Sequence, residues 1–364
     1  MKGAFIVDYN SYRRKSREVS VGKIKIGANS KIAIQSMTNT DTENREATLN
    51  QVLSLFRAGC DIVRLTAPSV DACRTFKYIK DKGVEIPLVA DVHFDYKIAI
   101  AAAEMGADKI RINPGNIGSS DKVKAVVDAC RKNKVPIRIG VNSGSLEAHI
   151  LKKHQGVTAE ALAESALYHA DMLRELDFQD IVISVKASDV NMMIKANRIL
   201  AERTSYPLHL GVTEAGFGNA GLIKSSIGIG TLLSLGIGDT VRVSLTDKPE
   251  EEVAAARSIL TALDLLADGG MNIVSCPTCG RTKIDLIPLV REFERRAKQE
   301  GLYSKNIKVA LMGCAVNGPG EAREADIGIA GGIGEGLIFK HGEIYKKVKE
   351  EQLIDALIDE IKKL

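Results

Sequence analysis

Cys276 and Cys279 are separated by two residues in CPTC, and Cys314 follows in GCAVNGPGE. Both segments read as strand ends. A Cys-x-x-Cys pair can be a redox couple, but the βαβ context which that chemistry wants ahead of it is absent. It can be half of a zinc site, which asks for four Cys or His ligands. It can also hold an iron–sulfur cluster, usually on four cysteines. Only three cysteines cluster here, so a fourth ligand must come from elsewhere, and Glu321 after the NGPG turn is the best placed. A carboxylate on thiolate-bound iron is weak and replaceable, which suits a cluster that meets substrate rather than one that only relays electrons. The plainer reading of Glu321 is an acid at a helix N-terminus. Cys60, Cys73 and Cys130 are scattered and read as small buried hydrophobes.

A second constellation is cationic. Successive strand residues point to opposite faces. In the runs DIVRLT, KIRIN, PIRIGVN, DIVISVK and DTVRVS, one parity is apolar and the other carries Arg64, Arg111, Arg138, Lys186 and Arg242. Asp91 and His93 in LVADVHF, Asn113, Asn142, Thr213 and Ser244 fall on the same polar set. Five cations aimed inward from five strands would repel one another without counter-charge. The natural guest is a polyanion, and a diphosphate fits. Gly216, Gly218 and Gly221 form a literal G-x-G-x-x-G that opens a helix. No acid ends the next strand, since Asp239 precedes it, so a dinucleotide fingerprint is excluded. Backbone N–H groups cradling phosphate remain.

The elements that must position these residues repeat. Eight β-branched runs, starting at Ile32, Asp61, Pro87, Lys109, Pro136, Asp180, Pro207 and Asp239, recur about every 30 residues with helical patterns between them. Eight βα units predict an α/β protein whose residues 1–268 form a (β/α)8 TIM barrel. Val19–Val21 and Lys23–Ile26 read as a hairpin closing the barrel's bottom, and the basic run Arg13, Arg14, Lys15 and Arg17 as a solvated strand face. Gly269-Gly270 mark a boundary, and residues 271–364 predict a second, smaller α/β domain ending in a hairpin that turns at His341-Gly342. The chain has 364 residues, 50 basic against 46 acidic, 4% aromatic and no Trp. That balance argues against nucleic acid or a membrane surface as partner. No apolar run is long enough to span a bilayer, and the first residues lack a leader's apolar core, so a cytoplasmic protein is expected.

QSMTNTDT, DIVRLTAP, LVADVHFDYKIA, RINPGNIG, PIRIGVNSGSLE, SVKASD, LHLGVTEAG, CPTCGRT and GCAVNGPGE together resemble the 4-hydroxy-3-methylbut-2-enyl diphosphate synthase family, in its bacterial two-domain form. The resemblance covers nearly the whole chain. It implies reductive ring opening of 2-C-methyl-D-erythritol 2,4-cyclodiphosphate, with loss of water, in isoprenoid biosynthesis. It implies a [4Fe-4S] cluster on Cys276, Cys279, Cys314 and Glu321, fed by reduced ferredoxin or flavodoxin. On this reading Arg64, Arg111, Arg138, Lys186 and Arg242 hold the diphosphate, with Asn113, Asn142, Thr213 and Ser244 adding hydrogen bonds. Glu214 in VTEAG is the first choice for the acid that protonates the departing oxygen, with His93 and Asp91 behind it; its plainer role is a counter-ion to the arginines. Two rivals stand beside this reading: a pterin-type transferase on the same barrel with a structural zinc at CPTC, and an electron carrier that uses the barrel as scaffold.

Topology adds one expectation. Barrel helices run back against the strands, so the eighth ends at the barrel's bottom, whereas the mouth lies where the strands end. A two-glycine linker cannot carry the cluster to its own mouth, which predicts a head-to-tail homodimer in which each cluster domain caps the partner's barrel.

Overall fold

The computed structural model describes residues 9–266, 270–314 and 323–364, and the chain divides into two units, 1–263 and 264–364. Of the expected boundary pair, Gly269 lies outside the described residues.

In the first unit β1 (Val19–Val21) and β2 (Ile24–Ile26) form an antiparallel hairpin. Eight parallel strands follow: β3 (Ala33–Met37), β4 (Ile62–Thr66), β5 (Leu88–Asp91), β6 (Lys109–Ile112), β7 (Ile137–Asn142), β8 (Ile181–Lys186), β9 (His209–Leu210) and β10 (Thr240–Val241). They pair in the order β8-β7-β6-β5-β4-β3-β10-β9, and an Ile183–Leu208 bridge closes β8 on β9. The eight-stranded ring is the expected TIM barrel. Helices between the strands bury apolar residues against the barrel, and several start on a side-chain cap. Ser69, Asp95, Thr158 and Asp189 each accept a backbone N–H of the first turn.

The registers around the ring close with the shear of about 8 that this architecture requires. They stack the inward residues in layers of four, taken from alternate strands. The hairpin's Val19, Val21 and Ile26 pack on Ala33, Ile62, Val89 and Val182, so the barrel is plugged from below. Ile62, Lys109, Val182 and Thr240 make one layer. Gln35, Val89, Arg138 and His209 make the next, and Arg64, Arg111, Ser184 and Arg242 the one above. Met37 and Asp91 then share a layer with Gly140 and Gly211. The hairpin plug is apolar, Lys109 and Thr240 already bring polar groups into the lowest layer, and charge is concentrated toward the strand ends.

Half of the expected solvated basic run behaves otherwise. Arg13 is buried and donates to Asp239 at 2.8 Å, and Arg14 reaches the carbonyls of Ala201 and Tyr206 at 3.1 and 2.8 Å. Asp239 also accepts from Ser16 Oγ and from the Leu208 backbone. Arg13 and Arg14 clamp the segment before the barrel to its last two strands, whereas Lys15 and Arg17 are exposed as expected.

In the second unit β11 (Asn272–Ser275), β12 (Lys308–Met312) and β13 (Ile327–Gly331) run parallel, and β14 (Glu335–Lys340) and β15 (Glu343–Lys349) complete the sheet antiparallel. The β14–β15 turn falls at His341 and Gly342, both at positive φ, as a tight hairpin turn demands. Helices Leu286–Gln299 and Leu353–Lys362 bury Phe293, Leu357, Ile358 and Ile361 against Val309, Leu311, Ile327 and Ile329. Among the described residues no helix is long and apolar enough to cross a membrane.

Candidate active site

Asp91 organises the barrel's mouth from the end of β5. Its Oδ1 accepts from Arg111 Nη1 at 3.0 Å, and its Oδ2 lies 3.6 Å from Arg64 Nε. Burial alone would raise its pKa, but Arg64, Arg111, His93 and Arg138 together hold it well below the usual carboxylate range. Asp91 thus stands as the counter-charge of Arg64 and Arg111. Arg111 also reaches the Gly140 carbonyl at 3.3 Å and His93 Nε2 at 3.4 Å. Arg64 lays its guanidinium on Met37 Sδ at 2.9 and 3.1 Å. Burial, opposed by Asp91 and assisted by Arg242 and Arg111, brings its pKa down to about 10.

Two glycines make room for this arrangement. A Cβ on Gly140 would sit 2.3 Å from Arg111 Nε, and one on Gly211 2.7 Å from Lys186 Nζ. The long cationic side chains therefore fold inward over positions where any other residue would collide. Lys186 pairs with no carboxylate among the described residues. Burial and the charges of Arg242, Arg64 and Arg138 push its pKa well down. Arg242 binds Glu252 of helix Pro249–Ala262, at 3.2 and 3.3 Å. Glu252 also accepts from Ser36 Oγ and the Leu245 backbone.

Other expected ligands stand differently. Arg138 lies one layer beneath Arg64, Arg111 and Arg242 and is only 1% exposed. Asn113 accepts from Gly115 N–H and donates to the Ser145 carbonyl, tying the 113–117 turn to the turn after β7, where Asn142 and Ser145 cap each other. Thr213 and Ser244 are half-buried near the strand ends. Glu214 and His93 are exposed, and Glu214 takes a left-handed φ of 52° in the loop after β9. The glycine-rich segment opens helix Gly218–Ser234 as expected. A Cβ on Gly221 would meet Gly216 backbone at 2.9 Å, so glycine is required for this loop to close on its helix.

Sequence reasoning missed four groups. Lys109, fully buried, shares the parity of Arg111 and could have been read from it. Gln35 shares that of Met37. Glu252 is one of three consecutive glutamates, and nothing local distinguishes it. Buried His169 lies 2.5 Å from Glu147 Oε1 beneath Gly115, on helix Ala159–Glu175, a pairing no local pattern marks.

In the second unit Cys276 follows β11 and Cys314 follows β12. The parallel register sets Cys276 N–H on the Leu311 carbonyl at 3.1 Å. Gly313 N–H points at Cys276 Sγ at 3.5 Å. Thr278 takes a left-handed φ of 47°, turning the chain between Cys276 and Cys279. Cys279 is exposed and Cys314 buried. Thr282 Oγ1 is buried and has no partner among the described residues, and its side chain occupies the space a Cβ on Gly313 would need, at 2.7 Å. Among the described residues no three His, Cys, Asp or Glu side chains are already gathered into a metal site, and Glu321 lies outside them. The donor set nonetheless fits an iron–sulfur group: three thiols on two adjacent strand ends and the loop between, with a backbone N–H already aimed at one sulfur.

Comparison with known proteins agrees with this division. The GcpE TIM-barrel domain matches residues 16–257 and the GcpE protein C-terminal domain matches residues 272–363. A 4-hydroxy-3-methylbut-2-en-1-yl diphosphate synthase (flavodoxin) of Caldanaerobacter subterraneus subsp. tengcongensis is 56% identical over 352 residues, 97% of this chain and 98% of that protein. The protein of the same name from Clostridium perfringens is 58% identical over 346 residues, 95% of this chain and 98% of its own length. Among solved structures, a type I 3-dehydroquinate dehydratase from Clostridium difficile superposes with a TM-score of 0.51 at 13% identity, covering 68% of this chain and 98% of its own, a likeness of fold alone. Matched in both domains and along nearly its full length, the chain belongs to the GcpE family.

Proposed function

We propose that the chain opens 2-C-methyl-D-erythritol 2,4-cyclodiphosphate reductively to 4-hydroxy-3-methylbut-2-enyl diphosphate, in isoprenoid biosynthesis, drawing its electrons from flavodoxin. The observation that carries this reading is the charge of the barrel interior. Arg64, Lys109, Arg111, Arg138, Lys186 and Arg242 face two acids, Asp91 and Glu252. Such an excess calls for a multivalent anionic guest. Relatives over half identical along the whole chain bear the name of this diphosphate synthase.

Arg64 and Arg111, braced by Asp91, meet the diphosphate from one side of the mouth, and Lys186 and Arg242 from the other. The helix opening at Gly218 offers backbone N–H groups. Asn142, Thr213 and Ser244 border the strand ends, and Asn113 positions their loops. Glu214, exposed above the cations, is the acid that protonates the departing oxygen, with His93 as its alternative. Residues 271–364 are the cluster domain, in which Cys276, Cys279, Cys314 and Glu321 would hold a [4Fe-4S] cluster. When bound, that cluster supplies two electrons one at a time. Gly313 N–H stabilises charge on the Cys276 thiolate.

The protein acts as a cytoplasmic head-to-tail homodimer, each cluster domain capping the partner's barrel. Ile223 and Ile227, one turn apart on helix Gly218–Ser234, are 57% and 52% exposed and offer an apolar stripe for association. A pterin-type transferase leaves the thiols unexplained unless zinc finds a fourth ligand, and an electron carrier leaves the cations unexplained. The test is anaerobic purification with iron and sulfide analysis, followed by turnover of the cyclic diphosphate with reduced flavodoxin. Four irons per chain with turnover is expected. A colourless zinc protein, or a loaded protein inert on this substrate, rejects the reading.

A further inference from the structure

Outside the ring of inward cations lies an acid–histidine pair that no step of the proposed reaction uses. His169, on helix Ala159–Glu175, is fully buried. Its Nε2 lies 2.5 Å from Oε1 of Glu147. Its Nδ1 is buried with no partner among the described residues. A protonated ring would strand an N–H there, and burial, opposed by Glu147, lowers the pKa of the ring. The imidazole is therefore neutral and donates its one N–H, from Nε2, to the Glu147 carboxylate.

The pair stands where two loops of the mouth meet. Glu147 lies just beyond Asn142, the last residue of β7, and its carbonyl accepts the Ile150 and Leu151 N–H groups at 3.0 Å as helix Ala148–His154 begins. From the other side the turn after β6, Pro114–Ile117, rests on the same two side chains. A Cβ on Gly115 would stand 3.1 Å from both Glu147 Oε1 and His169 Cε1. Gly115 is not at positive φ, so a side chain there would meet the pair rather than a backbone restriction. Asn113 joins the two loops: its Oδ1 accepts the Gly115 N–H at 3.2 Å, and its Nδ2 reaches the Ser145 carbonyl at 3.4 Å. Ser145 Oγ in turn accepts the Asn142 N–H at 3.3 Å. The far end of helix Ala148–His154 is tied separately, where Lys153 Nζ and His154 Nε2 meet Glu164 at 2.8 and 2.9 Å.

We propose that Glu147 and His169 are a positioning pair that sets the loops after β6 and β7, and through them Asn113 and Asn142, for the diphosphate guest, an inference that rests on the proposed substrate. An apolar support would fix only how closely the loops approach. A hydrogen bond to a carboxylate also fixes direction, and it is stronger than one between neutral groups. Loops carry binding groups but are the mobile part of a barrel, so the asparagines need a rigid floor.

The experiment compares four variants of the full chain. His169→Phe fills the site without a donor, and His169→Gln returns an amide nitrogen where Nε2 stood. Gly115→Ala pushes the turn off an intact pair, and His154→Ala frees only the far end of the helix. Calorimetric titration with the cyclic diphosphate should show affinity reduced roughly tenfold in His169→Phe and Gly115→Ala. It should recover in His169→Gln and stay at the wild-type value in His154→Ala, with iron content constant throughout. Once Asn113 is replaced by Ala, His169→Phe should weaken binding by less than about twofold, because losses through a shared group do not add. Before substrate is added, hydrogen exchange should quicken in segments 113–118 and 142–147 of His169→Phe and Gly115→Ala, but not of His154→Ala. An equal loss of affinity with and without Asn113 means general loosening and overturns the proposal, as does unaltered exchange in both segments. If His169→Phe does not fold, Gly115→Ala, which keeps both partners, decides the matter. A wild type that leaves the cyclic diphosphate unbound rejects the proposed function instead, and the exchange measurement still decides whether the pair holds the loops.

Discussion

The barrel's mouth and the thiol-bearing strand ends solve the same problem in opposite ways. At the mouth, charge is placed before any guest arrives: Asp91 fixes Arg111 and Arg64, Glu252 fixes Arg242, and Gly140 and Gly211 clear the space the cations need. At the thiols, the backbone brings Cys276 and Cys314 to neighbouring strand ends, but the described ligands stop short of a closed site. The difference follows from the guests. A diphosphate is recognised by fixed donors, and preorganisation spares it the ordering of its own site. A cluster makes its own bonds to sulfur, so its protein can supply the donors and be completed by the metal.

The largest expected effect tests the guest-completed half. Cys276→Ser or Cys314→Ser should abolish the brown chromophore and reduce turnover by more than ~100-fold, while barrel stability changes little. Arg111→Ala should do the reverse: full iron content, with substrate affinity reduced roughly ten- to a hundred-fold, the range for a charged hydrogen bond of ~1.5–3 kcal/mol. Mixing Cys314→Ser chains with Arg111→Ala chains then asks whether the halves work in trans. A head-to-tail dimer would contain one site built from two intact halves, so activity should partly return. Iron and sulfide content, binding isotherms and the activity of the mixture are the measurements. Heterodimers that form without activity would place each site within one chain.

Asp91 carries the next effect. Removing it leaves Arg64 and Arg111 facing each other in a buried layer, and breaking such a pair from one side typically destabilises by about 3–5 kcal/mol. Asp91→Asn should therefore lower the denaturant midpoint of the barrel transition. The pH dependence has a definite sign. Because its folded pKa lies below its unfolded value of about 3.9, Asp91 stabilises the barrel fully at neutral pH. That contribution fades as pH falls below the unfolded value toward the folded one. Acid unfolding curves of wild type and Asp91→Asn should converge below pH ~4, and parallel curves down to the acid limit would contradict the charge network.

How much of this could be read beforehand depends on the range of the interaction. Eight strand runs at a regular period gave away the barrel, and alternation along β6, β7 and β8 placed Arg111, Arg138 and Lys186 inside it. Parity along a strand is a local property. Depth is not: Arg138 and Arg111 look equivalent in sequence, and only the stagger between strands puts one a layer below the other. Counter-charges are equally nonlocal, since Glu252 reaches Arg242 from a helix, and Arg13 finds Asp239 from the opposite end of the barrel sequence. The thiols were legible because a Cys-x-x-Cys turn is itself local. The pairing of Asp91 with two guanidinium groups was not legible, because its partners come from other strands.

A smaller perturbation separates position from charge. Gly140→Ala keeps every cation but places a methyl 2.3 Å from Arg111 Nε, so the guanidinium must shift. Overpacking of this kind costs ~1–3 kcal/mol. Substrate affinity should fall about tenfold with the cluster intact. If Gly140→Ala binds the cyclic diphosphate as the wild type does, the mouth works by net charge rather than by placed donors, and the contrast with the cluster half weakens.

The smallest effect concerns the remaining cysteines, which should share nothing with the three proposed to hold the cluster. Burial pushes the Cys60 and Cys130 thiols up to about 12 and Cys73 to about 11. Alkylation proceeds through the thiolate, so at pH 8 these groups react roughly a thousandfold more slowly than an unperturbed cysteine with a pKa near 8.5. In metal-free protein, iodoacetamide should label exposed Cys279 first and leave Cys60 and Cys130 untouched until the barrel unfolds. Cys130→Ala should leave iron content unchanged and cost only about 1 kcal/mol, the removal of one small buried group. Mass spectrometry of peptides after timed labelling reads out all six sites at once. If Cys60 or Cys130 reacts as fast as Cys279 in folded protein, the barrel is not the sealed, preset half of the molecule that the charge network requires.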